Sequence, residues 1–413
     1  MSNEIMQPES NNERNEDVEQ INGATAADNE NEAAFNTNVT NSRPSEETWL
    51  PEGGTTVNET RQIDTVIPDF NNKPQAPDGL RLPPREPSRV NKYPFYGIVG
   101  DLLRVVMPHV EANEMAIAAP FLTGMANLIG RGPHFVAGGT EHYLQFYAAL
   151  VGTSADARKT TAINIVLGLL RRVDPSWAAR CQEITLLSGE GLVACLHDRD
   201  QFDDRNGDKR LFLVDTGPAS TLRSIRRPQN TLSPILSDLW DKGIASTRSN
   251  ANPRETTDAL VSLIGDFNVS PKLSKRMLEG QTCFDRRLLP FFVERSKSVS
   301  FCRPLPFVAL RPIIRRLKKV VEFARTVGEM QLSKKAEQLW GKLYSRWAEK
   351  DPRRSFLVEE LKAHAPAHVL RMACVFALLD MQLTIKVQHL KAASAMWDHV
   401  AASIDFIFDQ QEG

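Results

Sequence analysis

Apolar residues recur along this chain with two different periods, and from about Tyr93 onward the two alternate. Val99–Val110 and Glu114–Ile129 carry apolar positions at helical spacing, and Gly130 stops the second run. His142–Val151 is aromatic and β-branched and ends at Gly152, which predicts a buried strand. Lys159–Arg172 then reads as a helix, Glu183–Leu187 as a short strand and Gly191–His197 as a helix. Arg210–Val214 is a strand ending at Asp215, Leu232–Asp241 is helical, and Leu260–Ile264 and Leu288–Val293 are further strands. Strands alternating with helices predict an α/β core with a mostly parallel sheet. After about Pro306 the strand pattern stops. Arg315–Ala348, Phe356–Met381 and Val387–Phe408 read as helices. The expected organisation is a core over 93–306 and an all-helical C-terminal domain over 307–413.

Composition changes the picture mainly before Tyr93. Residues 1–92 are rich in Asn, Glu, Ser, Thr and Pro and poor in large apolar side chains. Such a segment buries too little surface to offset its ordering entropy, so a disordered tail with a Pro-rich linker is expected. Residues 1–90 carry 17 acidic and 7 basic side chains, although the whole chain of 413 residues is nearly balanced at −1. The remainder is therefore basic. That suits either a polyanion partner or simple charge segregation for solubility. Five scattered cysteines with no CxxC pair point away from a zinc site and a disulfide framework, and toward a reducing cytoplasm. No apolar run approaches bilayer length.

The segment Val151–Ala162 (VGTSADARKTTA) follows a predicted strand and opens a predicted helix. That is the context of a phosphate-binding loop, in which free amides and the helix dipole favour an anion. Gly152, Thr153, Ser154, Arg158, Lys159, Thr160 and Thr161 would surround an ATP phosphate chain. Lys159 would reach the β- and γ-phosphates, and Thr161 or Thr160 would hold Mg²⁺. The usual pattern has four residues between two glycines and then Lys, whereas here six residues separate Gly152 from Lys159 and the second glycine is missing, Arg158 standing just before the lysine. Taken alone, the pattern also fits a strand–turn–helix with a solvated Arg158–Lys159 pair.

Two acids follow in an order that suits RecA-like ATPase chemistry. Asp215 ends a strand, where a Mg²⁺-holding acid is expected. Glu190 lies in Ser188–Gly191 (SGEG), after the strand that succeeds the loop helix, where a water-activating base is expected. Each also fits a plain turn or a first-turn helix acid. Asn268, after Asp266, is the candidate γ-phosphate sensor, with a capping role as the alternative. Arg287, or less favourably Arg286, is the candidate finger that completes a neighbouring subunit's site, which would imply a ring or filament.

From about Tyr93 to Phe408 the chain resembles a family of P-loop ATPases of unknown function from bacteria, phages and plasmids. Members are often fused to primase–polymerase domains in mobile-element replication proteins. The matching segments run in order: Leu150–Lys159 (LVGTSADARK), Leu187–Leu192 (LSGEGL), Lys209–Asp215 (KRLFLVD), and Asn230–Ser233 (NTLS) with Leu239–Asp241 (LWD). Ser262–Gly265 (SLIG), Arg287 and Arg295–Lys297 (RSK) come next. His368–Ala373 (HVLRMA), Phe376–Asp380 (FALLD), His389–Ala393 (HLKAA) and Trp397 complete the series. The Arg–Lys form of the loop is usual in that family. The resemblance implies ATP, Mg²⁺ and a RecA-like core. Three positions depart from it: Thr160 replaces a usual glycine, Thr216–Gly217 a frequent second acid, and Asp266 a frequent histidine. The departures bear on hydrolysis more than on binding. Only the acidic tail precedes the core, so any priming is expected to need a separate primase–polymerase.

Two further clusters carry chemistry. His364, His368 and Arg371 share a helix face, but without an HExxH glutamate they read as packing or core-contacting residues more readily than as a zinc site. Arg223, Arg226 and Arg227, then Lys272, Lys275 and Arg276, then Arg315, Arg316, Lys318 and Lys319 are basic groups suited to DNA phosphates or to solvent. The expected function is an ATP-driven nucleic-acid motor, helicase- or translocase-like, in mobile-element or phage replication. The alternatives are a nucleotide-binding regulator with little hydrolysis and a non-enzymatic assembly protein.

Overall fold

The computed structural model describes residues 93–152, 157–183, 188–197, 208–216, 220–225, 227, 229–247, 253–268, 284–299, 305–349 and 354–408. The acidic segment 1–92 lies outside them, as do Thr153, Ser154, Ile184–Leu187, Arg226, Lys272, Lys275 and Arg276.

In chain order the first elements are α1 (Ile98–Val106), α2 (Glu114–Ile129), β1 (His134–Ala137), β2 (Thr140–Tyr143) and β3 (Tyr147–Gly152). They are followed by α3 (Lys159–Val173), α4 (Pro175–Arg180), β4 (Gln182–Glu183), α5 (Gly189–Leu196), β5 (Arg210–Asp215), α6 (Ser220–Ile225) and α7 (Leu232–Lys242). Next come β6 (Ala245–Thr247), β7 (Arg254–Thr256), β8 (Leu260–Asn268), β9 (Leu288–Phe292), α8 (Phe307–Ala324) and β10 (Glu329–Leu332). The described chain ends with α9 (Lys334–Ala348), α10 (Phe356–Lys362), α11 (Ala365–Leu379), β11 (Thr384–Ile385) and α12 (Val387–Phe408).

The main sheet has the order β4-β5-β8-β3-β9, and every pair in it is parallel. Its central strands are apolar runs buried on both faces, as a parallel sheet under helices requires: β3 is buried throughout, and β8 from Leu260 to Gly265. Helix α2 lies against β3, β5, β8 and β9. It is apolar nearly all round, and Met115–Ile129 are all buried, as a helix crossing the core must be. Its start is fixed by Asn113, whose Oδ1 accepts from the amides of Met115 (2.8 Å) and Ala116 (3.2 Å). Buried Asn127 fastens its far end: Nδ2 donates to the carbonyls of Leu211 (3.0 Å) and Leu260 (3.2 Å), and Oδ1 accepts from Trp177 Nε1 (2.9 Å).

The C-terminal third is mainly helical, but two short strands interrupt it. β10 pairs parallel with β1 and with β11, forming a second sheet of order β11-β10-β1-β2. An all-helical reading misses them because β10 buries only Met330 fully and β11 is two residues long, too little for a period to register. α11 and α12 pack on each other, and α12 lies along the edge strand β9. There Phe292 N–H donates to Ser403 Oγ (2.9 Å), and His399 Nε2 is 2.9 Å from the Phe292 carbonyl. Among the described residues no helix is long and apolar enough to cross a membrane.

Candidate functional site

In an open parallel sheet, ligands sit beyond the carboxyl ends of the strands where neighbouring connections leave in opposite directions. Here that point falls between β3 and β8. The chain leaves β3 toward β4 at one edge and leaves β8 toward β9 at the other. At that crevice α3 begins with Lys159, whose side chain is 2% exposed. Its Nζ donates to Asn268 Oδ1 (2.9 Å) and stands 3.4 Å from Asp266 Oδ1. Thr160 Oγ1 donates to Asp266 Oδ2 (2.5 Å). A buried ammonium is tolerated only with such partners or an anion. Gly152, the last residue of β3, closes the crevice from the other side. A Cβ there would lie 2.8 Å from the Val293 carbonyl oxygen and 3.3 Å from Lys159 Nζ, so only glycine fits. The structure thus brings together Gly152, Lys159, Thr160, Asp266 and Asn268. Thr161 is exposed in the first turn of α3, and Thr153 and Ser154 lie outside the described residues.

Asp215 ends β5, beside β8, in register with Gly265. It is buried, and its Oδ2 accepts from the Thr221 amide (2.8 Å), one of the unsatisfied donors at the head of α6. Glu190 occupies the first turn of α5, which is capped by Ser188 Oγ accepting from the Gly191 amide (3.1 Å). Its exposed carboxylate accepts from Thr231 Oγ1 (2.8 Å), and this bond, followed by its own amide, holds its pKa below the ordinary carboxylate value. The approach of α5 to α7 that permits this contact needs Gly189, where a Cβ would meet Thr231 Oγ1 and Ile235 Cδ1 at 2.5 Å. Among the described residues no group of three His, Cys, Asp or Glu side chains is placed to hold a metal.

Sequence reasoning missed Glu111. It lies just before α2, its side chain 5% exposed, and accepts from Arg158 Nε (2.8 Å), the Val299 amide (2.8 Å) and Arg295 Nη2. The Val299 amide, then Arg295 and Arg158, pull its pKa down to about 2. The side-chain partner of Glu111 nearest in sequence, Arg158, is 47 residues away, beyond the reach of any local pattern. Thr231 was missed for the same reason: its partner is 41 residues away.

Arg287 is not in this crevice. It immediately precedes β9, whose Leu288 is in register with Tyr147 at the start of β3, so it sits at the amino edge of the sheet, opposite Lys159. It is buried, its Nη2 donates to Asp241 Oδ2 (2.6 Å), and its guanidinium lies 5.3 Å from the Trp240 ring centre. A finger must be presented outward, and this side chain is packed inward. Arg286 pairs with Glu360 at 2.8 Å. Arg371 joins the same buried group: it stacks 3.5 Å over Trp240 and donates to the carbonyls of Gln145 and Trp240 (both 3.2 Å), fastening α11 to the core. His368 stacks on Trp397 at 5.7 Å and meets Trp240 edge-on.

Of the basic groups, Arg227, Arg315, Lys318 and Lys319 are exposed, whereas Arg316 pairs with Asp101 (3.1 Å). A cleft of about 410 Å³ lies near the amino ends of β5 and β8, lined in part by Arg131, Lys209, Arg210, Asp208, Asp258 and Arg325. It is the wrong end of the sheet for a phosphate site, and several of its charges pair with each other, as Arg210 does with Asp208 and Arg131 with Asp258. Compared with known proteins, the chain matches no family model and no curated sequence, so the likeness to P-loop ATPases rests on the residues named above.

Proposed function

We propose that this protein binds ATP through the loop between β3 and α3 and uses it, as a RecA-like ATPase, to drive movement on nucleic acid. The observation that carries this reading is the buried Lys159 at the head of α3, facing Asn268 and Asp266 at the point where the sheet connections diverge. The sheet order supports it. Numbered by appearance in the main sheet, the strands run 2-3-4-1-5, with a strand inserted between the loop strand and the Asp215 strand, as in a RecA-like core.

In this reading Lys159 neutralises the β- and γ-phosphates, the first amides of α3 bind the same oxygens, and Asn268 meets the γ-phosphate. Thr161 and Asp215 would hold Mg²⁺ through one hydroxyl and one carboxylate, hard oxygen donors of the kind that ion takes. When bound, that ion would supply charge neutralisation for the transferred phosphoryl group. Glu190 orients and deprotonates water. The finger assigned to Arg287 would have to come from another arginine, and a ring or filament of copies stays part of the proposal. DNA is the partner expected from the basic body, in mobile-element or phage replication.

A second reading has its own observation. Glu190 is engaged by Thr231, and Asp266 by both Lys159 and Thr160, so the groups that would promote hydrolysis already have partners. That arrangement suits a nucleotide-gated regulator with little turnover. ATP hydrolysis with and without single-stranded DNA, beside Lys159→Ala and Glu190→Gln, separates the two. DNA-stimulated turnover lost in both variants supports the motor. Binding without turnover, lost in Lys159→Ala, supports the regulator. No nucleotide binding removes both.

A further inference from the structure

The turn into α3 passes through left-handed backbone at residue 158, with φ 53° and ψ 31°. Glycine takes that conformation freely, whereas arginine pays a steric penalty and keeps it only when its surroundings impose it. This is also the position where the loop lacks its expected second glycine. The surroundings are specific. Arg158 Nε donates to Glu111 Oε2 at 2.8 Å. Glu111 is itself fixed from the far side: its Oε1 accepts from the Val299 amide and from Arg295 Nη2, and its carbonyl accepts from the Ser296 amide (2.9 Å) and hydroxyl (3.2 Å). Ala112 and Arg295 form an antiparallel bridge beside it. The segment that anchors Glu111 continues from β9, whose exit at Val293 bonds the Val151 carbonyl (2.8 Å) next to Gly152. One buried carboxylate therefore ties the turn at Arg158 to the opposite wall of the crevice.

We propose that Glu111 is a positioning residue of the phosphate site: its ion pair with Arg158 holds the left-handed turn that a glycine would otherwise supply, and so aims Lys159 and the first amides of α3. This rests on the ATP-binding reading above. It also explains how a loop without its second glycine can keep a phosphate-binding shape. Arg158 carries the turn and Glu111 fixes Arg158. Exchange of Glu111 for glutamine removes the charge but keeps the volume, and exchange of Arg158 for glycine removes the need for the ion pair.

The test is a double-mutant cycle on the full chain, read by binding of a fluorescent ATP analogue with Mg²⁺ and by thermal melting. Glu111→Gln is expected to weaken binding roughly tenfold in the wild-type background and less than about twofold in the Arg158→Gly background. In an Arg295→Ala background the tenfold loss should persist. An equal loss with and without Arg158→Gly would overturn the proposal, since Glu111 would then act only through Arg295 and Val299. No loss on Glu111→Gln would overturn it as well. If the wild-type chain takes no nucleotide, the ATP-binding reading fails, and the cycle in melting temperature still decides the turn. A drop on Glu111→Gln that shrinks in Arg158→Gly supports the proposal, and an unchanged drop rejects it.

Discussion

Thr231 Oγ1, at the head of α7, donates a 2.8 Å hydrogen bond to the Glu190 carboxylate at the head of α5. It is the largest cause of that carboxylate's lowered pKa. If Glu190 is the base for hydrolysis, it works ionised, so turnover has an acid limb at its pKa. Thr231→Val removes the bond and raises that pKa, so the acid limb should move to higher pH. A pH–rate profile with an unmoved limb would separate Glu190 from the chemistry. Glu190→Gln should lower turnover by about 10²-fold or more with ATP affinity little changed.

Gly152 is constrained from two sides. A methyl group at this position meets the Val293 carbonyl at 2.8 Å and Lys159 Nζ at 3.3 Å. Gly152→Ala should therefore cost about 1–3 kcal/mol of stability, as overpacking generally does. It should also displace the lysine and abolish ATP binding. Denaturant unfolding and nucleotide titration of the same sample check both effects. Full binding at wild-type stability would mean that the crevice is not held as tightly as described.

Acid should loosen the fold before the carboxylates titrate. Burial lowers the pKa of His142 to about 4 and pushes those of His364, His368 and His399 down as well, in each case as the largest cause. Between the unfolded value near 6.5 and these folded values, the unfolded chain binds more protons than the native one. Stability is thus complete above about pH 6.5 and falls as pH drops toward 4. Melting temperatures from pH 7.5 to 5 should fall, and His142→Asn should make the slope shallower. A flat profile would contradict neutral burial of these rings.

The exposed face of α8 carries Arg311, Arg315, Lys318 and Lys319. If DNA phosphates bind there, changing Arg315, Lys318 and Lys319 to alanine should weaken single-stranded DNA binding. The salt dependence, plotted as log K against log salt, should become shallower by about 0.7 for each phosphate that is no longer neutralised. An unchanged slope would assign that face to solvent and leave the DNA surface elsewhere.

Much of the site was legible because it depends on local order. Gly152, Asp215 and Asn268 each end a strand and Lys159 opens a helix, and an apolar run that ends or begins at a polar residue announces such junctions. The bounds of α2 and α12 follow from helical spacing and match the structure. What escaped depends on distant partners. Glu111 and Thr231 acquire their roles from Arg158 and Glu190, 47 and 41 residues away, and no local pattern encodes those pairs. Arg287, expected as a finger for a neighbouring subunit's site, is packed against Asp241 and Trp240. A residue that precedes a parallel strand lies at the amino edge, opposite a loop that follows one, so chain direction alone sets it apart from its own subunit's Lys159.

The Phe292 contacts with Ser403 and His399 bear on how copies of this chain could assemble. α12 occupies the outer flank of β9 and satisfies the amide and carbonyl of that strand's last residue. An open strand flank is a template for another strand, and a flank sealed by the chain's own helix is not. A second molecule could extend this sheet at β9 only by lifting α12 away. Copies that meet on this side of the sheet would therefore join through side-chain surfaces of helices and loops, and not by continuing the sheet at Phe292.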